Sequence, residues 1–274
     1  MLFNRQKTLI MGVMNLTPDS FSQDGLLKVK NVPSAHLRYA KGLVNAGADI
    51  LDIGGESTRP GAKKISASEE IRRVLPTLRL LVKHLDVPVS IDTYKADVAH
   101  ACLDEGGAII NNIMGTRIDR RLLKLVHDYD CRIVLMHSRG NPHTMNTKTR
   151  YKDILNDIIE ELRVCLNICF EIGIKKDRII LDPGIGFAKT PVQNLEILNR
   201  LGELKQLQFP VLVGSSRKSF IGHVLNNDVH ERAWGTAATI AVAIANGADI
   251  IRVHDVKAMK EVAAMTDAIV RFRK

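Results

Sequence analysis

The stretch Asn45-Ala46-Gly47-Ala48-Asp49-Ile50 returns near the C-terminus as Asn246-Gly247-Ala248-Asp249-Ile250, and more loosely as Glu105-Gly106-Gly107-Ala108-Ile109. In each copy a glycine suits the left-handed turn that closes a helix, and the small residue after it lets a strand start close against that helix. The phrase is a helix-to-strand joint, and its reuse implies repeated βα units. Working outward from the joints, short apolar runs at 8–13, 49–53, 87–91, 108–113, 132–136, 178–181, 210–213 and 249–253 predict strands. Apolar positions at helical spacing occupy 34–46, 68–84, 95–104, 120–128, 151–172, 192–201 and 256–271, and 217–245 holds two more helices. Ser66-Ala67-Ser68-Glu69 opens one helix with a capping serine and an early acid. Strand and helix alternate from end to end, which is the signal of parallel βαβ units. The fold expected is an α/β single (β/α)8 TIM barrel. No Pro- or Ser-rich linker divides it, so 1–274 reads as one domain, with long lid loops at 17–27 and 54–65 after the first two strands.

Composition narrows the function classes. A chain of 274 residues is the size of one such barrel or one doubly wound domain. Its 45% hydrophobic and 25% charged residues are ordinary for a globular protein, which sets aside disordered and collagenous classes. No run approaches the roughly 18 apolar residues of a membrane-spanning helix. Met1-Leu2-Phe3-Asn4-Arg5-Gln6-Lys7 does not resemble a signal peptide, so a cytoplasmic location is expected. The net charge of +9 invites a nucleic-acid reading, but aromatics are only 4% and the basic residues form no long block. Arg271-Phe272-Arg273-Lys274 reads as a short solvated tail. Neither nucleic acid nor a membrane is an expected partner, whereas anionic small substrates fit the charge. Cys102, Cys131, Cys165 and Cys169 form no CxxC pair and have no His-spaced partners. They read as reduced, packed thiols.

The strand ends carry the chemistry. Asn15 and Thr17-Pro18-Asp19-Ser20 end the first run, and Gly54-Gly55-Glu56-Ser57-Thr58-Arg59-Pro60 the second. Asp92, Asn111-Asn112, His137 and Asp182 end the next four. Ser215-Ser216-Arg217-Lys218 follows the seventh, and Arg252 with His254-Asp255 ends the eighth. A closed barrel brings all of these to one mouth, where barrel enzymes place their catalytic groups. Arg59, Arg217, Lys218, Arg252 and His254 form a cationic set for phosphate or carboxylate oxygens, with Arg252 and His254 on one strand face. Asp92, Asp182 and Asn111 suit a flat, nitrogen-rich ring, because a carboxylate takes two parallel hydrogen bonds from a guanidine-like edge. Plainer roles are also open: Asp52 and Asp255 as residues that orient neighbours or cap helices, His137 as a support behind the site, and Asp19-Ser20 as a turn. Lys218 opposes the dipole at a helix start, which favours a functional role for it. GxGxxG, P-loop, HExxH and GxSxG motifs are absent, which disfavours covalent catalysis. Metal-ligand clusters are absent as well; that suits Mg²⁺, which is often held mainly through substrate phosphates.

Met11-Gly12-Val13-Met14-Asn15-Leu16-Thr17-Pro18-Asp19-Ser20-Phe21-Ser22 and Asp52-Ile53-Gly54-Gly55-Glu56-Ser57-Thr58-Arg59-Pro60-Gly61 resemble the two signature segments of the dihydropteroate synthase family. Ser90-Ile91-Asp92-Thr93, Ile110-Asn111-Asn112, Met136-His137 and Asp182-Pro183-Gly184-Ile185-Gly186-Phe187 continue the match. So do Ser216-Arg217-Lys218-Ser219 and Arg252-Val253-His254-Asp255. The resemblance implies a homodimeric transferase of folate synthesis that joins p-aminobenzoate to 6-hydroxymethyl-7,8-dihydropterin diphosphate. It places Asp92, Asn111, Asp182 and Lys218 on the pterin, and Asn15, Thr58, Arg59, Arg252 and His254 at the diphosphate, with Asn15 on Mg²⁺. Thr58, Arg59, Pro60, Phe187, Lys218 and Ser219 would shape the p-aminobenzoate site. Asp92, Lys218, Arg252 and His254 are the catalytic candidates, in a dissociative substitution at the pterin methylene carbon. Asn112, Ser138 and Ala188 depart from the family pattern, where an acid, a methionine and a glycine are frequent.

Two rivals predict different residues. A methyltetrahydrofolate-using methyltransferase of the same barrel type would keep the ring-binding set but has no use for the Arg59, Arg252 and His254 group. A basic scaffold or nucleic-acid-binding protein would bind with steep salt dependence and leaves the polar mouth without a purpose.

Overall fold

Strand and helix alternate from Leu9 to Val270 in the computed structural model, which describes residues 7–17, 32–57, 62–140 and 144–272. The strands are β1 (Leu9–Asn15), β2 (Ile50–Gly54), β3 (Val89–Asp92), β4 (Ile109–Asn112), β5 (Arg132–Met136), β6 (Ile179–Asp182), β7 (Leu212–Val213) and β8 (Ile250–Val253). All pair in parallel, in the order β6-β5-β4-β3-β2-β1-β8-β7. A parallel bridge from Leu181 to Val211 joins β6 to β7, with the Leu181 amide donating to the Pro210 carbonyl at 2.9 Å. The ring closes there, giving the expected (β/α)8 barrel. Its helices are α1 (Val32–Asn45), α2 (Ala67–His84), α3 (Ala96–Asp104), α4 (Arg120–Asp128), α5 (Ile154–Ile172), α6 (Pro191–Asn199), α7 (Ser219–Leu225), α8 (Ala233–Ala245) and α9 (Val256–Val270). Strand ends shift slightly from the sequence reading. Asn15, Gly54, Asp92 and Asp182 lie inside their strands because backbone pairing continues through polar residues, as in Asn15 opposite Gly54 and Met136 opposite Asp182.

The recurring phrase makes the joints it predicted. Gly47, Gly106 and Gly247 have φ of +103°, +90° and +99°, a conformation in which a Cβ is strained. The amide of the next residue returns to the helix in each: Ala48 to Leu43 at 3.0 Å, Gly107 to Cys102 at 2.9 Å and Ala248 to Ala243 at 2.9 Å. The aspartates of the phrase repeat a role as well. Asp49 accepts from the Ile10 amide at 2.9 Å and Asp249 from the Val211 amide at 2.8 Å, so each caps the entry of a neighbouring strand. Ser66 caps α2 by accepting from the Glu69 amide at 3.2 Å. The four cysteines are free and buried.

Side-chain alternation gives each strand two faces. Leu9, Met11, Ile50, Ile109, Val134, Ile180, Leu212 and Ile250 turn into the barrel and form an apolar plug. Ile10, Leu51, Ile110, Ile133, Leu181 and Ile251 turn outward beneath the helices. Burying each such side chain contributes about 1.5–3 kcal/mol, and a one-residue slip would exchange the two faces, so the plug sets the register. Two residues beyond a plug position the strand returns to the inner face, one layer nearer the C-terminal rim. That layer holds Asp52 after Ile50, Asn111 after Ile109, Asp182 after Ile180 and Arg252 after Ile250. Asp92 joins it from β3, in register with Asn111. The plug thus forms the dry floor of a polar mouth.

Candidate active site

Arg252 lies at the centre of this layer. Its Nε donates to Asp52 at 2.6 Å and its Nη2 to Asp92 at 3.0 Å, while Asn111 donates Nδ2 to Asp52 at 3.1 Å. Asp52 is fully buried and Asp92 nearly so. Burial holds the Asp92 carboxyl above its ordinary range; Arg252 opposes this, and nearby Asp52 and Glu70 reinforce it. Burial also weakens the charge of Arg252, but the two carboxylates outweigh it and hold the guanidinium charged. One oxygen each of Asp52 and Asp92 and the Ser90 hydroxyl are buried without a partner among the described residues. An unpaired buried acceptor is costly, so these atoms favour a ligand that brings N–H groups. With its Nδ2 committed to Asp52, the Asn111 amide has its oxygen left to accept.

The loop from β6 to α6 supplies the opposite wall. Asp182 accepts from the Gly184 amide at 2.6 Å, and burial raises its pKa to about 6 against the pull of that bond and of Lys218. Gly186 has φ +80°, and a Cβ there would stand 3.0 Å from Lys218 Cδ, so the glycine lets the lysine stem cross the loop. Lys218 Nζ then sits 4.2 Å from the centre of the Phe187 ring. Burial pulls the Lys218 pKa down to about 8, with Arg252 adding to the effect. Lys218 occupies the cap position of α7, and Ser219 is exposed at the first position of that helix.

Two members of the expected cationic set differ. Arg217 is committed to Asp255, through Nε at 3.0 Å and Nη2 at 2.5 Å, and so turns away from the grip. Its partner Asp255 orients a neighbour, one of the plain roles open to it. His254 is not a cation near neutral pH, because burial and then Arg252 and Arg217 push it down to about 4. It is a neutral imidazole whose Nδ1 lies 3.0 Å from Ser216 Oγ. Asn15 ends β1, half-buried. Thr58, Arg59 and Pro60 lie outside the described residues, as do 18–27 and 58–61 of the two lid loops.

Of the plain roles open to Asp52, it takes the orienting one: it ties Arg252 to Asn111. The strands Ile50-Leu51-Asp52, Ile109-Ile110-Asn111, Ile180-Leu181-Asp182 and Ile250-Ile251-Arg252 share one spacing, which placed Asp52 in the same layer as the ligand candidates. Lys189 and Glu161 had no such signal. Both meet His137, which is buried behind the site: Lys189 Nζ lies 3.0 Å from its Nδ1 and Glu161 3.1 Å from its Nε2. Among the departures, Ala188 stands at φ +51° and the Asn112 side chain is buried with neither amide atom paired among the described residues. Ser138 is buried, with its backbone against Gly115. No group of three His, Cys, Asp or Glu among the described residues is placed to hold a metal, and no helix there is long and apolar enough to cross a membrane.

Fold and rim define a barrel enzyme whose mouth sets a carboxylate-lined slot beside fixed cations. The pterin binding enzyme family matches residues 11–254. The dihydropteroate synthase of Synechocystis sp. is 46% identical over 267 residues, which are 97% of this chain and 91% of that one. Among solved structures, dihydropteroate synthase from Clostridium difficile, crystallised in the presence of pteroic acid, superposes with a TM-score of 0.91 at 44% identity, covering 97% and 98% of the two chains. The Xanthomonas albilineans dihydropteroate synthase with 4-aminobenzoic acid gives 0.89 at 35% identity, covering 97% and 94%. The chain belongs to the pterin-binding enzyme family, among its dihydropteroate synthases, which are transferases of folate biosynthesis.

Proposed function

We propose that this mouth joins p-aminobenzoate to the methylene carbon of 6-hydroxymethyl-7,8-dihydropterin diphosphate, releasing pyrophosphate and 7,8-dihydropteroate by dissociative substitution. The observation that carries the reading is the meeting of Arg252 with Asp52 and Asp92 at one rim. The pterin ring lies against Asp92, Asn111, Asp182 and Lys218. Asp182 takes its amino-pyrimidine edge, since one Asp182 oxygen is bound by Gly184 and the other has no protein donor among the described residues. Arg252, His254 and Asn15 take the diphosphate, together with Thr58 and Arg59 from the second loop. Phe187, Lys218 and Ser219 shape the p-aminobenzoate site with Thr58, Arg59 and Pro60.

The bond that breaks joins the methylene carbon to the diphosphate oxygen. Its electron pair leaves with the diphosphate, where the Arg252 guanidinium is already oriented by two carboxylates and need not reorganise. The methylene becomes cationic beside the desolvated Asp92 carboxylate, which stabilises it. The aromatic amine then forms the new carbon–nitrogen bond and loses a proton. Asn15, a neutral oxygen donor at the end of β1, fits an Mg²⁺ held mainly by diphosphate oxygens; that ion would stabilise charge on the leaving group. One eight-stranded sheet with helices alternating from Leu9 to Val270 supports a single domain. A homodimer is supported by large apolar side chains exposed on the neighbouring helices α7, α8 and α9, among them Val224, Trp234, Met265 and Ile269. The test is pyrophosphate release with Mg²⁺ present. It should require both substrates, with slow release from the pterin diphosphate alone; no release with both overturns the reading.

A further inference from the structure

Behind Asp182 runs a chain of charged side chains that the substrate contacts leave unused. Lys189 is buried on the loop between β6 and α6. Its Nζ donates to the Phe187 carbonyl at 2.9 Å, lies 3.0 Å from His137 Nδ1 and reaches the His137 carbonyl at 3.5 Å. An ammonium only donates, so His137 meets it with a bare Nδ1 and keeps its proton on Nε2, which donates to Glu161 at 3.1 Å. Glu161 is bound in turn by Arg139, which also reaches Asp157 at 3.0 Å and lies 3.9 Å from the centre of the Tyr151 ring. Tyr151 donates its hydroxyl to the Ala188 carbonyl at 3.0 Å. The loop that presents Phe187 is therefore pinned twice, by Lys189 and by Tyr151.

Gly184 allows the pinning. It has φ +70°, and a Cβ there would fall 1.9 Å from the His137 carbonyl oxygen and 3.3 Å from Lys189 Nζ. A buried ammonium is a costly way to fasten a loop that a neutral donor could fasten. Its charge has a use. Burial pulls the Lys189 pKa down to about 7, and Asp182 and then Glu161 oppose this against Lys218 and Arg139. The ammonium is therefore present in the range near 6 where Asp182 titrates. From its own side, Asp182 senses Lys218, Lys189 and Arg252.

We propose that Lys189 is a positioning residue for both substrates: its ammonium fixes Phe187 beneath Lys218 and stabilises the ionised Asp182 carboxylate, with His137 and Glu161 orienting it. The assignment rests on the reading of Asp182 as the ring's partner and Phe187 as a wall of the p-aminobenzoate site.

Lys189→Met and Lys189→Arg separate the charge from the contact. Substrate binding is followed by calorimetry with the pterin diphosphate across pH, and turnover by pyrophosphate release. With Lys189→Met, the KM for p-aminobenzoate should rise about tenfold with a smaller change in kcat, as expected for a lost charge-assisted bond. The acid limb of pterin diphosphate binding should move up by about one pH unit, because Asp182 loses a neighbouring cation. Lys189→Arg should keep the limb in place, its charge being retained, and still raise the KM because the bulkier head cannot reproduce the carbonyl contact. A methionine variant with unmoved limb and KM overturns the proposal. Should that variant not fold, the arginine variant decides: a moved limb or an unmoved KM overturns it. A wild-type enzyme that releases no pyrophosphate overturns the synthase reading and this assignment together, whereas an active wild type with indifferent variants removes only the assignment.

Discussion

Arg252 reaches Asp92 at 3.0 Å, although β8 and β3 exchange no backbone hydrogen bond and β1 and β2 stand between them in the ring. The contact crosses the barrel lumen above the plug, and Asp52 steadies it by holding Nε of the same guanidinium at 2.6 Å. Nη2 occupies only Asp92 Oδ2, so a pterin ring can take Oδ1, unpartnered among the described residues, while the Nε bond to Asp52 keeps the guanidinium fixed. Asp52 is then the pivot about which the guanidinium meets the diphosphate.

Asp52→Asn therefore tests the pivot. The amide keeps the size of the side chain but removes the charge that orients Arg252 and the acceptor that orients Asn111. The kcat/KM for the pterin diphosphate should fall roughly ten- to a hundredfold, the range for a lost charge-assisted hydrogen bond. Asp255→Asn, which frees only Arg217, should cost less than about fivefold, as for a partly exposed pair. Steady-state kinetics of the two variants side by side decide the matter; equal losses would count against the pivot.

The pH dependence of kcat/KM for the pterin diphosphate should be bell-shaped. Asp92 must be ionised to stabilise the methylene cation, and Asp182 to accept ring N–H groups. Burial sets their pKa values at about 7 and about 6, so the rate falls as pH drops through these values. Lys218 must be charged, and burial sets its pKa at about 8, so the rate also falls as pH rises past it. Lys218→Arg should abolish the alkaline limb, because a guanidinium does not titrate in this range. An alkaline limb retained in that variant would assign it to another group.

Ala188 stands at φ +51°, where its Cβ is strained and a glycine would be at ease. Ala188→Gly should stabilise the protein by about 0.5–1 kcal/mol, the relief of left-handed strain exceeding the added entropy of the unfolded chain. Urea denaturation should show a higher midpoint at an unchanged slope. A lower midpoint would mean that the loop gains more from the alanine methyl than it loses to strain.

Trp234 is the only tryptophan in the chain and is 86% exposed in the isolated protomer. Such a side chain on α8 suits the centre of an interface between two copies. Trp234→Asp should convert a dimer to a monomer at micromolar concentration, read as a halved mass by light scattering. The wild-type tryptophan emission should shift to the red on dilution if the interface covers it. A variant that keeps the wild-type mass would place the interface elsewhere.

The barrel was legible because its signals are local. A glycine at each helix-to-strand joint, apolar runs of strand length and polar residues at their ends all act within a few residues of chain. Part of the mouth was legible for the same reason, since Asp92, Asn111, Asp182 and Arg252 stand at fixed offsets from apolar strand positions. The charge state of His254 was not, because it follows from burial and from Arg252 and Arg217, none of which is a property of the histidine's own segment. Nor was the commitment of Arg217 to Asp255, which faces it from the end of another strand.

Local pattern thus dictated the fold, the rim and most of the residues on it, since strand periodicity alone sends every second side chain inward. Which polar groups meet inside was settled by ring closure, which brings Arg252 onto Asp52 and Asp92, and by loop packing, which brings Lys189 onto His137. Those pairings unite segments far apart in sequence, and their strength depends on a burial that exists only once the barrel has closed.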